Sequence, residues 1–320
     1  MKPFGMGEPS RPAKAGHYVL VPTVLSIALT ACAMRTIPRP TDALAAPLFA
    51  DAPADVARMG RESNEARFDV LTALLAERRI PFTVEAFTIQ PRKTEPRTQG
   101  RNVVVTIAGR GPEIVLGAHY DAARLADGTL SKGAVDNAAS ALVLVRVAET
   151  LSRTRLRRQI RVVFFDMEEL GLLGSAEFVR AHRERAMRLM VNFDVNAFGD
   201  LVMVGPRSPL NADALQRVRA VCVAVAAECV EFPQMPPSDD RSFQAGKVPA
   251  VSIATVPAVQ GHELWLLLNG GKASGLQQGF TPQILSTIHT PADRSDLVDR
   301  NAMIRAYRIA VSLVATLDRE

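Results

Sequence analysis

The sequence predicts an α/β protein in which helices on both sides cover a mixed, largely parallel central sheet, giving a three-layer α/β/α sandwich. Segments with strand character alternate with segments of helical spacing, and some strands contain uninterrupted apolar runs such as VVFF (162–165). Such runs belong to strands that are covered on both faces, as in parallel sheets between helices. With 320 residues, 48% of them hydrophobic, the chain can bury a large core.

The elements of this sandwich follow in order from residue 56. A helical stretch (56–79) ends at Ile80-Pro81 and leads into a β-rich segment (82–89). NVVVTIAG (102–109) and EIVLGAHY (113–120), which flank a Gly-Pro turn, predict a β-hairpin.

Strand and helix then alternate to the end of the chain. We expect helices over 137–152, after Gly174, over about 210–227 and from about Asn301, and strands over 160–165, 188–195 and 250–255.

The first 32 residues have the pattern of an export signal. Basic residues at 2, 11 and 14 precede an uncharged run from Tyr18 to Ala31 that ends in small residues. This run is shorter than the roughly 20 residues that a spanning helix needs. Its end, Leu29-Thr30-Ala31-Cys32, resembles a lipobox and predicts lipid attachment at Cys32, while ordinary cleavage is the alternative. Either outcome predicts an exported protein, in the cell envelope or periplasm or secreted.

Composition divides the remainder into a linker and one domain. Residues 33–54 are rich in Pro and Ala and show no sustained period, which predicts a tether, and residues 55–320 are predicted to form the folded domain. The net charge of +5 is too small to indicate nucleic-acid binding, and part of it lies in the N-terminal segment.

Cys222 and Cys229 lie in a stretch with helical character. Seven residues of continuous helix would separate their Cα atoms by about 10.5 Å, beyond the reach of a disulfide. The sequence therefore predicts two buried thiols unless the helix breaks between them.

Acidic and imidazole side chains lie at the ends of several predicted strands, where open α/β sheets bind ligands. His119 and Asp121 in GAHYDA (117–122) share one face of the chain, so the carboxylate can orient the imidazole. Asp136 in GAVDNAAS (133–140) opens a helix and, taken alone, would be explained as an N-cap.

A pair of glutamates is harder to explain structurally. Glu168 and Glu169 follow a buried strand, where neighbouring charges cost desolvation energy unless a cation compensates them. Such a pair allows one carboxylate to bind a metal while the other moves a proton. Asp194 ends another apolar strand, and His289 lies in the loop TIHTPAD (287–293).

Taken together, GAHYDA, GAVDNAAS, MEELGLLGS, NFDV and IHTPADRSD resemble, in this order, the motifs of the co-catalytic zinc aminopeptidases. That family includes bacterial leucyl-type aminopeptidases and is related to glutaminyl cyclases and glutamate carboxypeptidases. The resemblance runs from about Asn102 to the end of the chain. It implies a zinc-exopeptidase fold that hydrolyses peptides with a free N-terminus.

The resemblance also implies a site with two zinc ions, held by five side chains: His119, Asp136, Glu169, Asp194 and His289. Asp136 would bridge the ions, with His119 and Asp194 completing one of the two sites. Glu168 would be the general base, and Asp121 would support catalysis beside His119. Imidazole and carboxylate ligands without cysteine agree with a hydrolytic zinc site.

The sequence departs from this pattern at Asp240, which stands where the family commonly has histidine. It also offers no tyrosine placed to stabilise an oxyanion, since Tyr120 should point to the other face of its strand. Ser238, Arg241 and His262 are candidate donors for that role.

Two alternatives remain at this point. A glutaminyl cyclase would share the ligand set but needs an aromatic-walled pocket, for which Trp265 is the single tryptophan. A non-catalytic lipoprotein scaffold would usually have lost a ligand or the base, and none is lost here.

Overall fold

The centre of the protein is a mixed sheet. In this computed structural model, which describes residues 37–90, 97–271 and 281–320, the strands are Thr83–Thr88 (β1), Gln99–Ile107 (β2), Arg110–His119 (β3), Arg158–Phe165 (β4), Met187–Phe193 (β5), Leu201–Gly205 (β6), Cys229–Glu231 (β7) and Ala250–Val256 (β8). Their order across the sheet is β1-β2-β4-β3-β5-β8-β6-β7.

The middle of this sheet is parallel and its flanks are not. Strands β4, β3, β5 and β8 run parallel to one another, whereas β1 and β2 on one side and β6 on the other are joined to the sheet by antiparallel pairing. β7 pairs in parallel with β6. The prediction of a mixed, largely parallel sheet is confirmed.

Helices cover both faces of the sheet. They are Asp42–Ala45 (α1), Ala52–Met59 (α2), Asn64–Glu77 (α3), Ala139–Ser152 (α4), Leu173–Ala181 (α5), Ala212–Ala224 (α6), Asp240–Ala245 (α7), Ala258–Asn269 (α8), Gln283–Thr287 (α9) and Arg300–Arg319 (α10). No helix in the described residues is long and apolar enough to cross a membrane.

Alternate residues of β2 enter two separate cores. Val103 and Val105 of β2 pack in the core that contains α3, α4 and α10, whereas Val104 between them packs in a smaller core with Phe178 of α5 and Phe243 of α7. This alternation follows from the two-residue period of a strand. It confirms the three-layer arrangement.

The predicted hairpin is wrong. β2 and β3 follow each other along the chain, but β4 lies between them, and Ile160 of β4 pairs with both Ile107 and Ile114. A short turn between two strand-like segments indicates a sharp reversal, and it does not show whether a later strand enters between them. VVFF, which is apolar towards both faces, suits that interior position.

The predicted tether is also wrong wherever the structure describes it. Residues 42–59 form α1, a short 3₁₀ helix and α2, and Ala45 and Phe49 are fully buried. The Phe49 ring meets the edge of Tyr307 in α10 at 5.7 Å between centroids. Pro47 and Pro53 lie in the first turns of their helices, where proline is tolerated, so the proline content misled the prediction.

Cys222 and Cys229 form a disulfide, which corrects the prediction of two thiols. Helix α6 ends at Ala224, and Ala226 has a φ of +52° that reverses the chain. Cys229 then begins β7, which brings the two Cα atoms to 6.1 Å. The two cysteines can pair because the helix breaks between them, and the sequence did not reveal this break.

The predicted export signal and Cys32 lie outside the described residues. Every described residue belongs to one compact unit, Met34–Glu320, which contains the whole sheet and both cores.

Candidate metal centre

The side chains that the sequence singles out come together at the carboxyl-terminal end of the parallel strands. His119 is the last residue of β3, the two glutamates follow β4, and Asp194 follows β5 directly. Asp136 lies in the irregular turn before α4, and His289 follows α9 with a φ of +57°. Parallel strands bring these ends to one edge of the sheet, which is why residues so far apart in sequence meet.

Asp136 stands between two groups of possible metal ligands. Its Oδ1 lies 3.0 Å from His119 Nε2, and its Oδ2 lies 3.1 Å from His289 Nε2. Asp194 Oδ1 is 3.5 Å from His119 Nε2, and Glu169 Oε2 is 3.0 Å from His289 Nε2. Two triplets of possible metal ligands therefore share one carboxylate, and within each triplet the ligand atoms lie within 4.8 Å of one another.

Several atoms of this cluster are buried without a hydrogen-bond partner. They are Nε2 of His119, Oε1 of Glu169 and Oδ1 of Asp194. Buried polar atoms are nearly always paired, because an unpaired one costs free energy. Nitrogen and oxygen atoms that converge in this way are the ligands that Zn²⁺ takes in hydrolytic sites, so the residues fit divalent metal ions.

Burial and mutual repulsion disturb the titration of the cluster. Burial, followed by the charge of Asp136, raises the pKa of Glu169 to about 7. Hydrogen bonds with Asp136 and then Glu169 raise the pKa of His289 to about 11. Without metal, the site thus retains protons at neutral pH, and a divalent cation would displace them on binding.

Glu168 lies beside Glu169 in the same cluster, and the two glutamates form a further group of possible ligands with His119. Burial raises the pKa of Glu168 well above the usual value, and the charges of Asp239, Asp194 and Glu169 raise it further, against the opposing effect of His119. The side chain also lines the cavity beside the cluster. A carboxyl group with a raised pKa holds a proton more readily than an ordinary glutamate, which suits a group that accepts a proton and returns it.

Asp121 fixes both glutamates and the first histidine. Its carboxylate accepts hydrogen bonds from the backbone N–H groups of Glu168 and Glu169, at 3.1 and 3.3 Å, and its Oδ1 lies 3.4 Å from His119 Nδ1. The sequence predicted the contact with His119 and missed the two backbone contacts.

Two further polar residues hold the turn that carries Asp136. Asp293 accepts hydrogen bonds from the N–H groups of Val135 at 2.6 Å and of Asp136 at 3.1 Å. Asn137 donates to the carbonyl of Phe193 and accepts from the N–H of Val195, so it links this turn to the segment of Asp194. Both residues lie in motifs quoted above, but their spacing gave no sign of these roles.

Arg67 of α3 is a third residue that sequence reasoning missed. It is completely buried, and its guanidinium donates to the carbonyls of Met59, Tyr120 and Lys132 at 2.7–2.9 Å. It therefore ties the end of β3 to the loop that leads to Asp136. A single arginine in a helix usually indicates a solvated position, and no local pattern distinguishes this one.

The two neighbouring aspartates of SDDRSF are both buried. Asp239 has no hydrogen-bond partner on either carboxylate oxygen, and burial raises its pKa to about 7. Asp240, at the position where the sequence departs from the family, accepts from the Ser252 hydroxyl at 2.8 Å and from the Gln244 amide at 2.6 Å.

A cavity of about 250 Å³ adjoins the ligand cluster. Asp136, Glu168, Asp194 and His289 form one side of it. Its other walls are mainly aliphatic: Val195, Met203, Met235, Ala254, Val256, Leu264, Ile284, Leu285 and Ile288. Trp265 is not part of this lining, and its indole N–H donates to the carbonyl of Glu231.

The predicted oxyanion donors are separated by the fold. Ser238 lines the cavity, and its hydroxyl accepts from the Asn192 amide at 2.7 Å. Arg241 in α7 and His262 in α8 are exposed and do not line it. Tyr120 points away from the cluster, as predicted, and donates to the carbonyl of Arg101.

A known protein family matches the part of the chain that carries this cluster. Residues 102–314, two thirds of the chain, match the model of peptidase family M28. The chain belongs to this family. The match begins in β2 and ends in α10, so it includes every proposed metal ligand, whereas Arg67 lies outside it.

Individual M28 relatives and solved structures match less completely. Aminopeptidase YwaD of Bacillus subtilis is 37% identical over 90 residues, which are 28% of this chain and 19% of that protein. A zinc aminopeptidase from Bacillus subtilis superposes with a TM-score of 0.54 at 17% identity, over 69% of this chain and 50% of that one. The glutaminyl cyclase of Porphyromonas gingivalis gives a TM-score of 0.67 at 18% identity, over 83% of this chain and 97% of that one. At such identities the structures show a shared fold, and the predicted fold class is confirmed.

Proposed function

We propose that this M28 protein is a zinc-dependent aminopeptidase with two metal ions, which removes the first residue from peptides with a free N-terminus. The observation that carries the proposal is the carboxylate of Asp136, which turns one oxygen towards His119 and Asp194 and the other towards His289 and Glu169. Family membership and the names of its relatives, aminopeptidases among them, support the same activity.

The chain's own residues account for the proton transfers. Bound zinc would supply Lewis acidity towards the scissile carbonyl and lower the pKa of a water molecule. Glu168 is the general base: its carboxylate takes a proton from the attacking water and then gives it to the departing amine. Its raised pKa favours holding that proton between the two steps. Asp121 keeps Glu168 in place through its backbone N–H.

The aliphatic cavity supports the choice of substrate. Met203, Met235, Leu264 and Ile288 would receive an apolar side chain of the N-terminal residue, which gains free energy by leaving water. A glutaminyl cyclase needs aromatic walls to fold the substrate side chain back, and Trp265 lies outside this lining. The cavity therefore favours the aminopeptidase over the cyclase.

We also propose that the chain is exported and lipid-anchored at Cys32. The leader sequence supports this, and the Cys222–Cys229 disulfide is of a kind that persists in oxidising compartments. Mass spectrometry of the mature N-terminus tests it. An acylated Cys32 is expected, whereas an unmodified N-terminus after Ala31 or an intact leader would contradict lipid attachment.

The activity is tested with the purified protein after removal of metal and after addition of zinc. We expect zinc to restore hydrolysis of leucyl and methionyl chromogenic amides, with much slower turnover of lysyl amides and none of N-acetylleucyl amides. A glutaminyl peptide is the matched alternative substrate. Its cyclisation without hydrolysis of the amides would establish the cyclase instead, and a zinc-free protein without either activity would indicate a scaffold.

A further inference from the structure

A group of arginines surrounds a shallow depression at the end of the sheet opposite the metal centre. Arg110 is the first residue of β3, and Arg319 is the last residue of α10. Arg155 and Arg157 lie just before β4. All four are exposed and line one depression of about 1,120 Å³ together with Ile37. We call these four residues the arginine dish.

The charges of the dish are not neutralised within the described residues. None of its four side chains forms an ion pair there, whereas neighbouring Arg188, Arg217 and Arg308 pair with carboxylates. The acidic residue of the depression, Asp318, accepts hydrogen bonds at its Oδ1 from two backbone N–H groups, of Arg157 and Arg158, at 2.7 and 2.8 Å. The dish therefore presents a net positive surface to water.

The dish and the metal centre lie far apart. Arg110 and His119 are the first and last residues of β3, so nine steps of a strand separate them, about 30 Å at ~3.3 Å per residue. A partner bound at the dish would leave the cavity beside Glu168 open on the other side.

The chain itself brings the dish near the predicted anchor. Ile37 lines the depression, and Cys32 precedes it by five residues. Five residues reach at most about 18 Å at ~3.6 Å each. An acyl chain on Cys32 would thus hold the dish close to the lipid headgroups.

We propose that the arginine dish docks the folded body on an anionic phospholipid membrane, with the metal centre facing away from the lipid. The proximity argument rests on the proposed anchor at Cys32, while the charge argument does not. Basic side chains near an anionic surface strengthen binding by roughly fivefold each at low salt, and a basic patch commonly serves as the second signal beside a lipid anchor.

The test measures binding to vesicles by sedimentation. It uses the full chain carrying Cys32→Ala and, in parallel, the compact body Met34–Glu320, so that no acyl chain contributes. We expect the body to bind vesicles of phosphatidylethanolamine and phosphatidylglycerol at low salt, to release them at high salt, and to bind pure phosphatidylcholine vesicles at least tenfold more weakly.

The variant replaces the four dish arginines by glutamine. Its affinity for the anionic vesicles should fall at least tenfold. A matched control removes the same charge elsewhere, by glutamine at the exposed residues Arg61, Arg180, Arg183 and Arg300, and should stay within about twofold of the parent. Equal loss in both variants would mean that net charge alone drives binding and would overturn the proposal. So would absence of binding to anionic vesicles, or preference for an anionic polysaccharide or RNA over them.

Hydrolysis of a soluble aminoacyl amide separates this inference from the proposed activity. Both variants should retain the parental turnover, which also shows that they fold. Vesicles should not inhibit the bound protein, and strong inhibition would contradict the outward orientation of the site. If no amide is hydrolysed at all, circular dichroism reports folding and the vesicle result remains interpretable.

Discussion

The two ends of the central sheet carry charge in opposite ways. At the carboxyl-terminal end, His119 and the carboxylates around Asp136 are buried or partly buried, His289 is exposed, and some atoms of the cluster lack any hydrogen-bond partner. At the other end, the guanidinium groups of the arginine dish are exposed to water. Buried charge requires a specific counter-charge at short range, whereas exposed charge acts over about a Debye length on whatever surface approaches.

This difference indicates which property a substitution at either end should change. Substitutions around Asp136 should alter metal binding and turnover without altering contact with a surface. Substitutions in the dish should do the reverse, since sites about 30 Å apart along β3 are expected to behave additively.

The largest effect is expected at Asp136. Asp136→Asn should remove a negative charge shared by both ligand triplets, so both zinc ions and all measurable activity should be lost. His289→Ala should lose one zinc ion and keep the other, because His119, Asp136 and Asp194 stay in place. Metal analysis after gel filtration measures this. Two retained ions in the Asp136→Asn variant would show that this carboxylate does not bridge them.

Glu168 comes next. Glu168→Gln keeps the shape of the side chain but cannot accept a proton, so kcat should fall by about 10³-fold with KM and zinc content nearly unchanged. Glu177→Gln, at the ion pair with Arg180 on α5, is the control and should leave kcat unaltered. A small fall in kcat for Glu168→Gln would assign the base elsewhere.

Much of the candidate metal centre could be predicted because the side chains that meet there follow strands with recognisable apolar runs. The ends of such strands meet at one edge of a parallel sheet, which fixed the expected place of His119 and Asp194. Arg67 could not be predicted, since its bonds go to carbonyls brought near it only by the fold. The insertion of β4 beside β3 and the helix break at Ala226 likewise depend on long-range packing and on one backbone angle, which leave no local pattern.

Arg67 offers a smaller and more specific effect. Arg67→Lys keeps the buried charge but cannot hold the carbonyls of Met59, Tyr120 and Lys132 together. Zinc affinity should fall about 10–100-fold, as is typical when a group that supports metal ligands is lost. Competition with a chelator measures it, and circular dichroism confirms folding. The control, Arg61→Lys at an exposed position, should bind zinc normally. Normal zinc binding by Arg67→Lys would show that Arg67 does not support the metal ligands and has a structural role only.

A further effect concerns the pH dependence of stability in the zinc-free protein. Burial raises the pKa of Asp240 to about 7, above its value in the unfolded chain. The folded state then binds more protons than the unfolded state between these two pKa values, so the stability that Asp240 contributes at low pH is lost as the pH rises towards 7. Asp240→Asn cannot ionise, so its loss of unfolding free energy between pH 5 and pH 8 should be smaller than that of the parent by about 2–3 kcal/mol.

Urea unfolding at the two pH values measures this difference, and the arginine dish provides the control. Arg155→Gln should leave the pH dependence unchanged, because it removes an exposed charge and does not alter the burial of Asp240. If Asp240→Asn shows the full pH dependence of the parent, the carboxyl group of Asp240 is not the one that takes up the proton. If Arg155→Gln also reduces the pH dependence of the unfolding free energy, the two ends of the sheet are electrostatically coupled and do not behave as independent sites.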